Sequence, residues 1–284
     1  MTSLIGLSSK ELERKAAQIR RDLVAVSLRN GAGHIAPSLS CVDILVALYY
    51  RIMNRNGDPS WQDRDRFVFS KAHGCYGLYV VLADIGSVER SDWEGFYAGS
   101  PLKGCCEMDI NRGVEVGCGA LGHGLPMAVG MAFGAKLRRV PWRVYVLVGD
   151  GEMQEGSNWE AIQFAVKHRL SNLTLIIDAN GLQAMDSLEN IMTVEGRKGD
   201  LQKKLRAFGM EVRTCNGHSA RSIVKAIERW TKKEDLSSPQ ALVARTVKGY
   251  GLLCMENIPK FHFRLPTDEE MEMGNRYDGT CVEL

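Results

Sequence analysis

The sequence predicts one α/β domain over residues 1–284, built on a doubly wound, mostly parallel sheet. Strand-like and helix-like segments alternate along the chain, and no linker rich in Pro, Gly or Ser interrupts them. The clearest strands, at residues 143–148 and 173–177, are short β-branched runs without polar alternation, which is typical of buried parallel strands. With 45% hydrophobic residues, the chain can build the core of one large domain.

The amino-terminal part predicts two helices before the first strand. A capping box, Ser8-x-x-Glu11, begins the first helix, and Asn30-Gly31 ends it. A second helix, at 40–53, is apolar on most sides, so we expect it to be buried.

The rest of the chain alternates between strands and helices. Residues 93–116 show no clean period, and we expect a long functional loop there. The region after Asn180 predicts another long loop, and the tail from residue 249 is loop apart from one short acidic helix. The other predicted elements are, in order, a strand at 66–69, helices at 74–85 and 125–137, a strand at 143–148, a helix at 157–168, a strand at 173–177, a helix at 201–208, a strand at 211–215, a helix at 220–232, a strand at 241–247 and the acidic helix at 267–273.

Two polar motifs lie where the strands at 143–148 and 173–177 end. A Gly-Asp-Gly turn containing Asp150 follows the first strand, and an Asp-Ala-Asn-Gly segment containing Asn180 follows the second. Consecutive parallel strands open their carboxyl ends on one edge of the sheet, so we expect Asp150 and Asn180 to meet. Their oxygens suit Mg²⁺, which keeps coordination positions for phosphate and water.

Gly151, in the same turn, can expose its N–H to an anion at the start of the following helix. The predicted ligand is therefore a diphosphate held through Mg²⁺. Taken singly, each motif also fits a purely structural role, as a tight bend or a loop that tolerates left-handed backbone.

Together, the two motifs and their spacing resemble the thiamine diphosphate signature, and nearly all of the chain resembles the amino-terminal half of transketolase. A full-length transketolase continues into a pyrimidine-binding domain, which supplies the catalytic carboxylate, and a third domain. The resemblance therefore implies a split enzyme whose partner chain carries the pyrimidine domain, in a heterotetramer of two copies of each. The matching segments begin at Gly31-Ala-Gly-His34, Asp65-Arg-Phe-Val, Gly113-Val-Glu-Val, Gly149-Asp-Gly and Thr246-Val-Lys-Gly.

The resemblance also implies a ligand set for thiamine diphosphate and Mg²⁺. The metal would be held by Asp150, Asn180 and the main-chain carbonyl of Leu182. Gly151 would offer its N–H to the diphosphate, and main-chain groups of Gly119 and Leu121 would receive the aminopyrimidine. Glu155 corresponds to an acid that links the two active sites across a subunit interface; alternatively, it is only a helix N-terminal glutamate.

Three histidines are candidates for acid-base chemistry because an imidazole titrates near working pH. His34 and His73 match family histidines around the thiazolium and diphosphate, and His73 is also a cofactor contact. His262 stands where many relatives have Trp-His-Gly-Lys, in different surroundings. We expect His168 and His218, in helix-end or turn contexts, to be surface residues.

Two positions depart from the family pattern. Cys105 stands in the substrate-binding position where transketolases use a histidine to contact the hydroxymethyl end of a ketose donor. A thiol is a weak donor and mostly uncharged near neutral pH, so ordinary sugar-phosphate specificity is in doubt. His123 stands where the family usually has glutamine, which alters polar contacts near the cofactor.

The implied function is transfer of a two-carbon ketol unit from a ketose to an aldehyde acceptor. One alternative is a thiamine-dependent acyl transferase with a 2-oxo acid donor; another is a non-catalytic paralogue that only binds cofactor or partner. The net charge of +2, with acids and bases interspersed, indicates neither nucleic acid nor an acidic membrane as a partner. The longest strongly apolar run is too short to span a bilayer, so we expect a cytoplasmic enzyme.

Overall fold

The fold is built on a five-stranded parallel sheet with the strand order β1-β2-β3-β5-β4. The computed structural model describes residues 6–56, 60–192, 201–233 and 236–275. The predicted fold class is confirmed, and each of these strands overlaps a predicted one. The strands are β1 (Arg66–Phe69), β2 (Val144–Gly149), β3 (Leu173–Ala179), β4 (Glu211–Asn216) and β5 (Gln240–Arg245).

Helices cover both faces of the sheet. Consecutive residues of β2 from Val144 to Val148 are all buried, which requires packing on either side of the strand. The α-helices of the described ranges are α1 (Ser9–Asn30), α2 (Ile35–Leu39), α3 (Val42–Ala47), α4 (Cys75–Asp84), α5 (Arg90–Glu94), α6 (Gly124–Arg138), α7 (Gly156–Lys167), α8 (Leu188–Met192), α9 (Leu201–Ala207), α10 (Ala220–Thr231) and α11 (Asp268–Asn275).

The helices pack in two groups. In one group, α6 packs against α7, and Trp159 of α7 meets Phe208 just after α9, with ring centroids 4.9 Å apart. In the other, α1, α3, α4 and α10 pack together. This arrangement confirms the prediction of a doubly wound sheet.

The first helix has the predicted capping box. Ser8 N donates to Glu11 Oε2 at 2.8 Å, and Glu11 N donates to Ser8 Oγ at 3.4 Å. At the other end, Gly31 takes left-handed backbone with φ of 75°, which a glycine adopts without a Cβ penalty.

The second predicted helix begins earlier than expected and is broken. The structure has α2, then α3 after a break at Ser40 and Cys41, and a π-helical turn at Leu48–Ile52. Ser40 Oγ lies 3.0 Å from the Pro37 carbonyl and 2.6 Å from Asp178 Oδ2, and the local bond to the backbone competes with regular helix geometry. The stretch Ile35–Ile52 is long and apolar enough to cross a membrane, but 89% of it is buried inside the protein, as expected for a core segment.

The two predicted loops contain some helix. α5 overlaps the start of the loop at 93–116, and Ile110–Arg112 forms a 3-10 turn closed by a bridge between Asp109 and Val114. Trp93 and Phe96 are fully buried and stacked, which anchors the start of this loop. α8 lies in the loop after Asn180, part of which is outside the described residues.

A buried ion pair joins several elements where the strands end. Lys71, which follows β1, contacts Asp178 in β3, and these side chains are 2% and 0% exposed. Lys71 Nζ also donates to the Pro37 carbonyl at 2.8 Å, while Asp178 accepts from the hydroxyls of Ser40 and Thr246. Burial alone would raise the pKa of Asp178, but Lys71 and the hydrogen bonds hold that pKa below its ordinary value.

Removing one member of this pair should destabilise the fold strongly, because it leaves the other charge buried and uncompensated. We expect Lys71→Met to lower the free energy of unfolding by about 3–5 kcal/mol. The double variant Lys71→Met, Asp178→Asn should lose less free energy of unfolding than the two single variants lose together. Chemical denaturation measures all three.

Lys232→Met is the matched control, since Lys232 is 76% exposed and pairs with Glu228 on the helix surface. It should change stability by no more than about 0.5 kcal/mol. If the losses of stability in Lys71→Met and Asp178→Asn simply add in the double variant, the two side chains are not coupled. An equal loss of stability in Lys71→Met and Lys232→Met would contradict the prediction as well.

Candidate active site

A cleft of about 780 Å³ opens at the carboxyl edge of the sheet, where β2 and β3 end. Most of the residues predicted for cofactor or metal binding line it. His34 contacts this group from the side, whereas Gly119 and Cys105 are not among the lining residues. The predicted residues that line the cleft are His73, Leu121, Asp150, Gly151, Glu155, Asn180, Leu182 and His262.

Backbone amides hold the two candidate metal-binding side chains in place. Asp150 Oδ1 accepts from Gly151 N at 2.9 Å, and Oδ2 accepts from Gly181 N at 2.6 Å. Asn180 Oδ1 accepts from Leu182 N at 3.0 Å. Each oxygen keeps a second lone pair, so the arrangement presents fixed oxygen donors on neighbouring loops. Burial raises the pKa of Asp150 to about 6, and the two amide hydrogen bonds oppose that shift.

The Gly-Asp-Gly turn is covered by Gln183. A Cβ at Gly151 would lie 3.0 Å from Gln183 Cγ, so the glycine permits this close approach. Gln183 Nε2 is buried and has no hydrogen-bond partner among the residues that the structure describes. The N–H of Gly151, predicted to face a diphosphate, donates to Asp150 here. An unpartnered buried donor at this place suits an anionic ligand.

Two buried lysines lie at the cleft, and Asp178 neutralises Lys71. Lys71 and Lys248 both line it, and each is 2% exposed. Lys248 Nζ donates to the Gln183 carbonyl at 3.0 Å and lies 2.9 Å from His262 Nδ1. Burial, followed by repulsion from Lys71, lowers the pKa of Lys248 to about 8. Lys248 is therefore mostly charged at neutral pH, and His262 Nδ1 is the acceptor.

The three candidate histidines form one cluster. Ring centroids are 5.0 Å apart for His73 and His262, 5.6 Å for His34 and His262, and 5.9 Å for His34 and His73. Burial and then the charge of Lys248 lower the pKa of His34 to about 4 and that of His262 to about 3. Burial also holds the pKa of His73 well below its ordinary value. The cluster is therefore neutral at pH 7.

Glu152 joins the Gly-Asp-Gly turn to the loop that contains Leu121. Its carboxylate is 3% exposed and accepts from Gly122 N at 2.9 Å and Gly149 N at 3.2 Å, and also from the Ser70 hydroxyl. These bonds fix Leu121 at the edge of the cleft, where its side chain is 39% exposed.

Glu155 lies at the rim, at the N-cap of α7. It is exposed, and its side chain makes no capping hydrogen bond, so the carboxylate is not held by its own helix. This geometry is compatible with the predicted role at a subunit interface.

Cys105 lies beside the start of α4. Its loop is fixed by Tyr79, whose hydroxyl donates to the Lys103 carbonyl at 3.0 Å, and by Cys75, whose thiol donates to the Gly104 carbonyl at 3.3 Å. Cys105 is half-buried, and burial raises its pKa, so the thiol is neutral. Its predicted contact with substrate stays a prediction.

The expectation for His218 was wrong. Its side chain is 7% exposed and stacks on Tyr250 with ring centroids 3.6 Å apart. Nε2 accepts from Val247 N at 2.7 Å, so Nδ1 carries the proton and donates to Asp43 at 3.1 Å. His218 thus braces the segment that carries Lys248. His168 is half-exposed and packs on Phe164 at 4.2 Å.

Several polar residues of the cleft were not selected from the sequence, although one signal was available. Lys71, Asp178 and Lys248 each lie at or just beyond the end of an apolar strand, where a charge near the core needs a partner or a ligand. Glu152 and Gln183 come just after the Gly-Asp-Gly and Asp-Ala-Asn-Gly motifs, and no sequence signal separated their roles from those of their neighbours.

Comparison with known proteins assigns the family. The chain matches the model of the transketolase, thiamine diphosphate binding domain, over residues 12–277. It is 40% identical over 272 residues to one subunit of the apulose-4-phosphate transketolase of Actinobacillus succinogenes, covering 94% of this chain and 96% of the relative. It is 35% identical over 262 residues to a 6-deoxy-6-sulfo-D-fructose transketolase subunit of Clostridium sp., and the match covers 91% of this chain and 93% of that relative.

Solved structures agree with the sequence relatives. The transketolase of Campylobacter jejuni superimposes with a TM-score of 0.81 at 28% identity, covering 96% of this chain and 44% of that one. The chain therefore spans less than half the length of this solved transketolase. The family match and the shared fold support the same conclusion: this chain belongs to the transketolase family and corresponds to its thiamine diphosphate binding domain.

Proposed function

We propose that this protein is the diphosphate-binding subunit of a two-component, thiamine diphosphate-dependent transketolase that moves a two-carbon ketol unit from a ketose to an aldehyde acceptor. The observation that carries the proposal is one cleft that combines fixed oxygen donors, two buried lysines and a cluster of neutral histidines. Relatives matched over 96% and 93% of their length are themselves named as subunits, which supports a second chain.

The cleft fits the diphosphate and metal of the cofactor. Asp150, Asn180 and the Leu182 carbonyl would hold Mg²⁺, which accepts oxygen ligands of this kind. Lys248 would face the diphosphate oxygens, as would Gln183 Nε2, which has no hydrogen-bond partner among the described residues. When bound, thiamine diphosphate supplies the nucleophilic carbon and the electron sink that cleavage of a ketose carbon-carbon bond requires.

The histidines would act on substrate oxygens. Because His34, His73 and His262 are neutral at pH 7, each offers one nitrogen that donates and one that accepts. Lys248 occupies Nδ1 of His262, whereas Nδ1 of His34 has no hydrogen-bond partner within the described chain. His34 can therefore take a new hydrogen bond without losing an existing one.

The partner would close the site from the exposed side. The aminopyrimidine would lie against main-chain groups of Gly119 and Leu121, and the carboxylate that activates it would come from the partner chain. Glu155, exposed at the rim, would lie at the interface. A heterotetramer of two copies of each chain and a cytoplasmic location remain predictions.

The two alternative functions are not favoured. The named relatives are transketolase subunits rather than 2-oxo acid acyl transferases. The non-catalytic alternative does not explain why Asp150, Asn180 and the histidine cluster lie together at one cleft.

The donor is proposed to be a ketose other than the ordinary transketolase substrates. The two subunit relatives are named for apulose 4-phosphate and 6-deoxy-6-sulfo-D-fructose, neither of which is a standard pentose or hexose phosphate. Cys105, with its neutral thiol, supports the same interpretation, because it forfeits a hydrogen bond to the donor.

The first prediction concerns the partner. This chain alone should show no turnover of any ketose, because the residues for proton abstraction at the aminopyrimidine come from the second chain. Mixing it with a chain carrying the pyrimidine domain, in the presence of cofactor and Mg²⁺, should restore turnover, and native mass measurement should give two copies of each. Turnover by the rigorously purified single chain would refute the two-component proposal.

The second prediction concerns the metal. Asp150→Ala should weaken Mg²⁺-dependent cofactor binding to the assembled complex by at least about a hundredfold, which corresponds to about 2.7 kcal/mol. The unfolding midpoint should change little, because burial disfavours this carboxylate in the folded state. Calorimetric titration with thiamine diphosphate measures the affinity.

Glu160→Ala is the control, since Glu160 is exposed on α7 and does not line the cleft. It should bind cofactor as the unaltered complex does. Unchanged affinity in Asp150→Ala would show that the metal assignment is wrong.

The third prediction concerns Cys105. Cys105→His should raise kcat/KM for xylulose 5-phosphate roughly tenfold, the factor that about 1.4 kcal/mol represents, by restoring a hydrogen bond to the donor. Cys105→Ala, which offers no donor, should not raise it. If the unaltered complex already turns over this substrate efficiently and Cys105→His leaves or lowers the rate, the altered-donor interpretation fails.

A further inference from the structure

Tyr97 has a backbone conformation that its side chain disfavours. Its φ is 65°, in the left-handed region, where a bulky aromatic residue is an outlier. Such conformations persist only when the surroundings impose them, and they cluster at functional sites. Here the surroundings are rigid: the preceding Phe96 is fully buried, and its carbonyl accepts from Asn30 Nδ2 at 2.7 Å.

The hydroxyl of Tyr97 belongs to a hydrogen-bond chain that leads to His34. His34 N donates to Tyr76 Oη at 3.2 Å, and Tyr76 Oη in turn donates to Tyr97 Oη at 3.3 Å. Tyr97 Oη therefore accepts a hydrogen bond in this chain, and its own O–H proton is used by no contact within the described ranges. The side chain is 45% exposed, so that proton can reach a ligand.

The same hydroxyl lies against the loop that carries Cys105. A Cβ at Gly104 would come within 2.4 Å of Tyr97 Oη, which is closer than any real contact. The φ of Gly104 is not positive, so a side chain at this position would meet no backbone strain but would have to displace the Tyr97 hydroxyl. Tyr97 Oη thus lies beside Tyr76, which accepts from the backbone of His34, and beside Gly104 in the Cys105 loop.

We propose that Tyr97 is a specificity-determining residue that donates its hydroxyl proton to a hydroxyl or carbonyl oxygen of the sugar substrate. This proposal rests on the proposed ketol transfer. The group that binds the sugar is then the phenol of Tyr97, which is hydrogen-bonded to Tyr76 on one side and lies against Gly104 on the other. The backbone of Tyr97 is already held in this conformation before substrate binds. Binding therefore costs little conformational entropy at this residue.

The test uses the assembled two-chain complex with thiamine diphosphate and Mg²⁺. Tyr97→Phe should lower kcat/KM for the sugar donor or acceptor about three- to tenfold, as expected for one lost neutral hydrogen bond, chiefly through KM. Cofactor affinity, measured by calorimetry, should not change. Gly104→Ala should cause a similar loss by displacing the hydroxyl, and the double variant Gly104→Ala, Tyr97→Phe should be no worse than either single variant.

Tyr50→Phe is the matched control, because it removes a tyrosine hydroxyl that bonds Asp84 and does not line the cleft. It should leave kcat/KM within about twofold of the unaltered complex. The inference is overturned if Tyr97→Phe has no effect in an active complex, or if Tyr50→Phe causes an equal loss. A complex with no ketol transfer at all would instead refute the proposed function, so the two failures are distinguishable.

Discussion

The buried ion pair between Lys71 and Asp178 is the constraint on which the site depends. A lysine and a carboxylate with almost no exposure are tolerable only when each is paired and hydrogen-bonded, and here the partners come from several separate segments of the chain. The pair therefore holds the end of β1, the break between α2 and α3, β3 and the segment after β5 at one point. Asn180 is two residues from Asp178, so the same pair positions the proposed metal site.

The electrostatics of the cleft follow from that arrangement. Lys71 is neutralised by Asp178. The described contacts of Lys248 are the Gln183 carbonyl and the imidazole of His262, neither of which is charged, and the pKa of Lys248 is lowered. An anionic ligand would balance the charge of Lys248. A diphosphate therefore suits the cleft better than a neutral ligand does. The same lysine charge, together with burial, keeps the histidines neutral and able both to donate and to accept.

The order and type of most elements could be predicted, because short apolar strands and capped helices depend on local sequence. The polar motifs also placed Asp150 and Asn180 at one edge, since parallel strands constrain their ends. The break at Ser40 and Cys41 could not be predicted, because neither position holds a glycine or a proline, and only the folded chain brings Ser40 against Asp178, far away in sequence. For the same reason His218 looked like a surface residue, although Asp43, Val247 and Tyr250 enclose it.

We propose that the edge between β2 and β3 holds the metal and diphosphate of thiamine diphosphate. The most direct measurement is a crystal structure of the assembled two-chain complex with thiamine diphosphate and Mn²⁺ in place of Mg²⁺, with the metal located by anomalous scattering. We expect one peak bound by Asp150, Asn180 and the Leu182 carbonyl, with the diphosphate beside Lys248 and Gln183. A metal bound elsewhere, or a cofactor whose diphosphate lies outside this cleft, would contradict it.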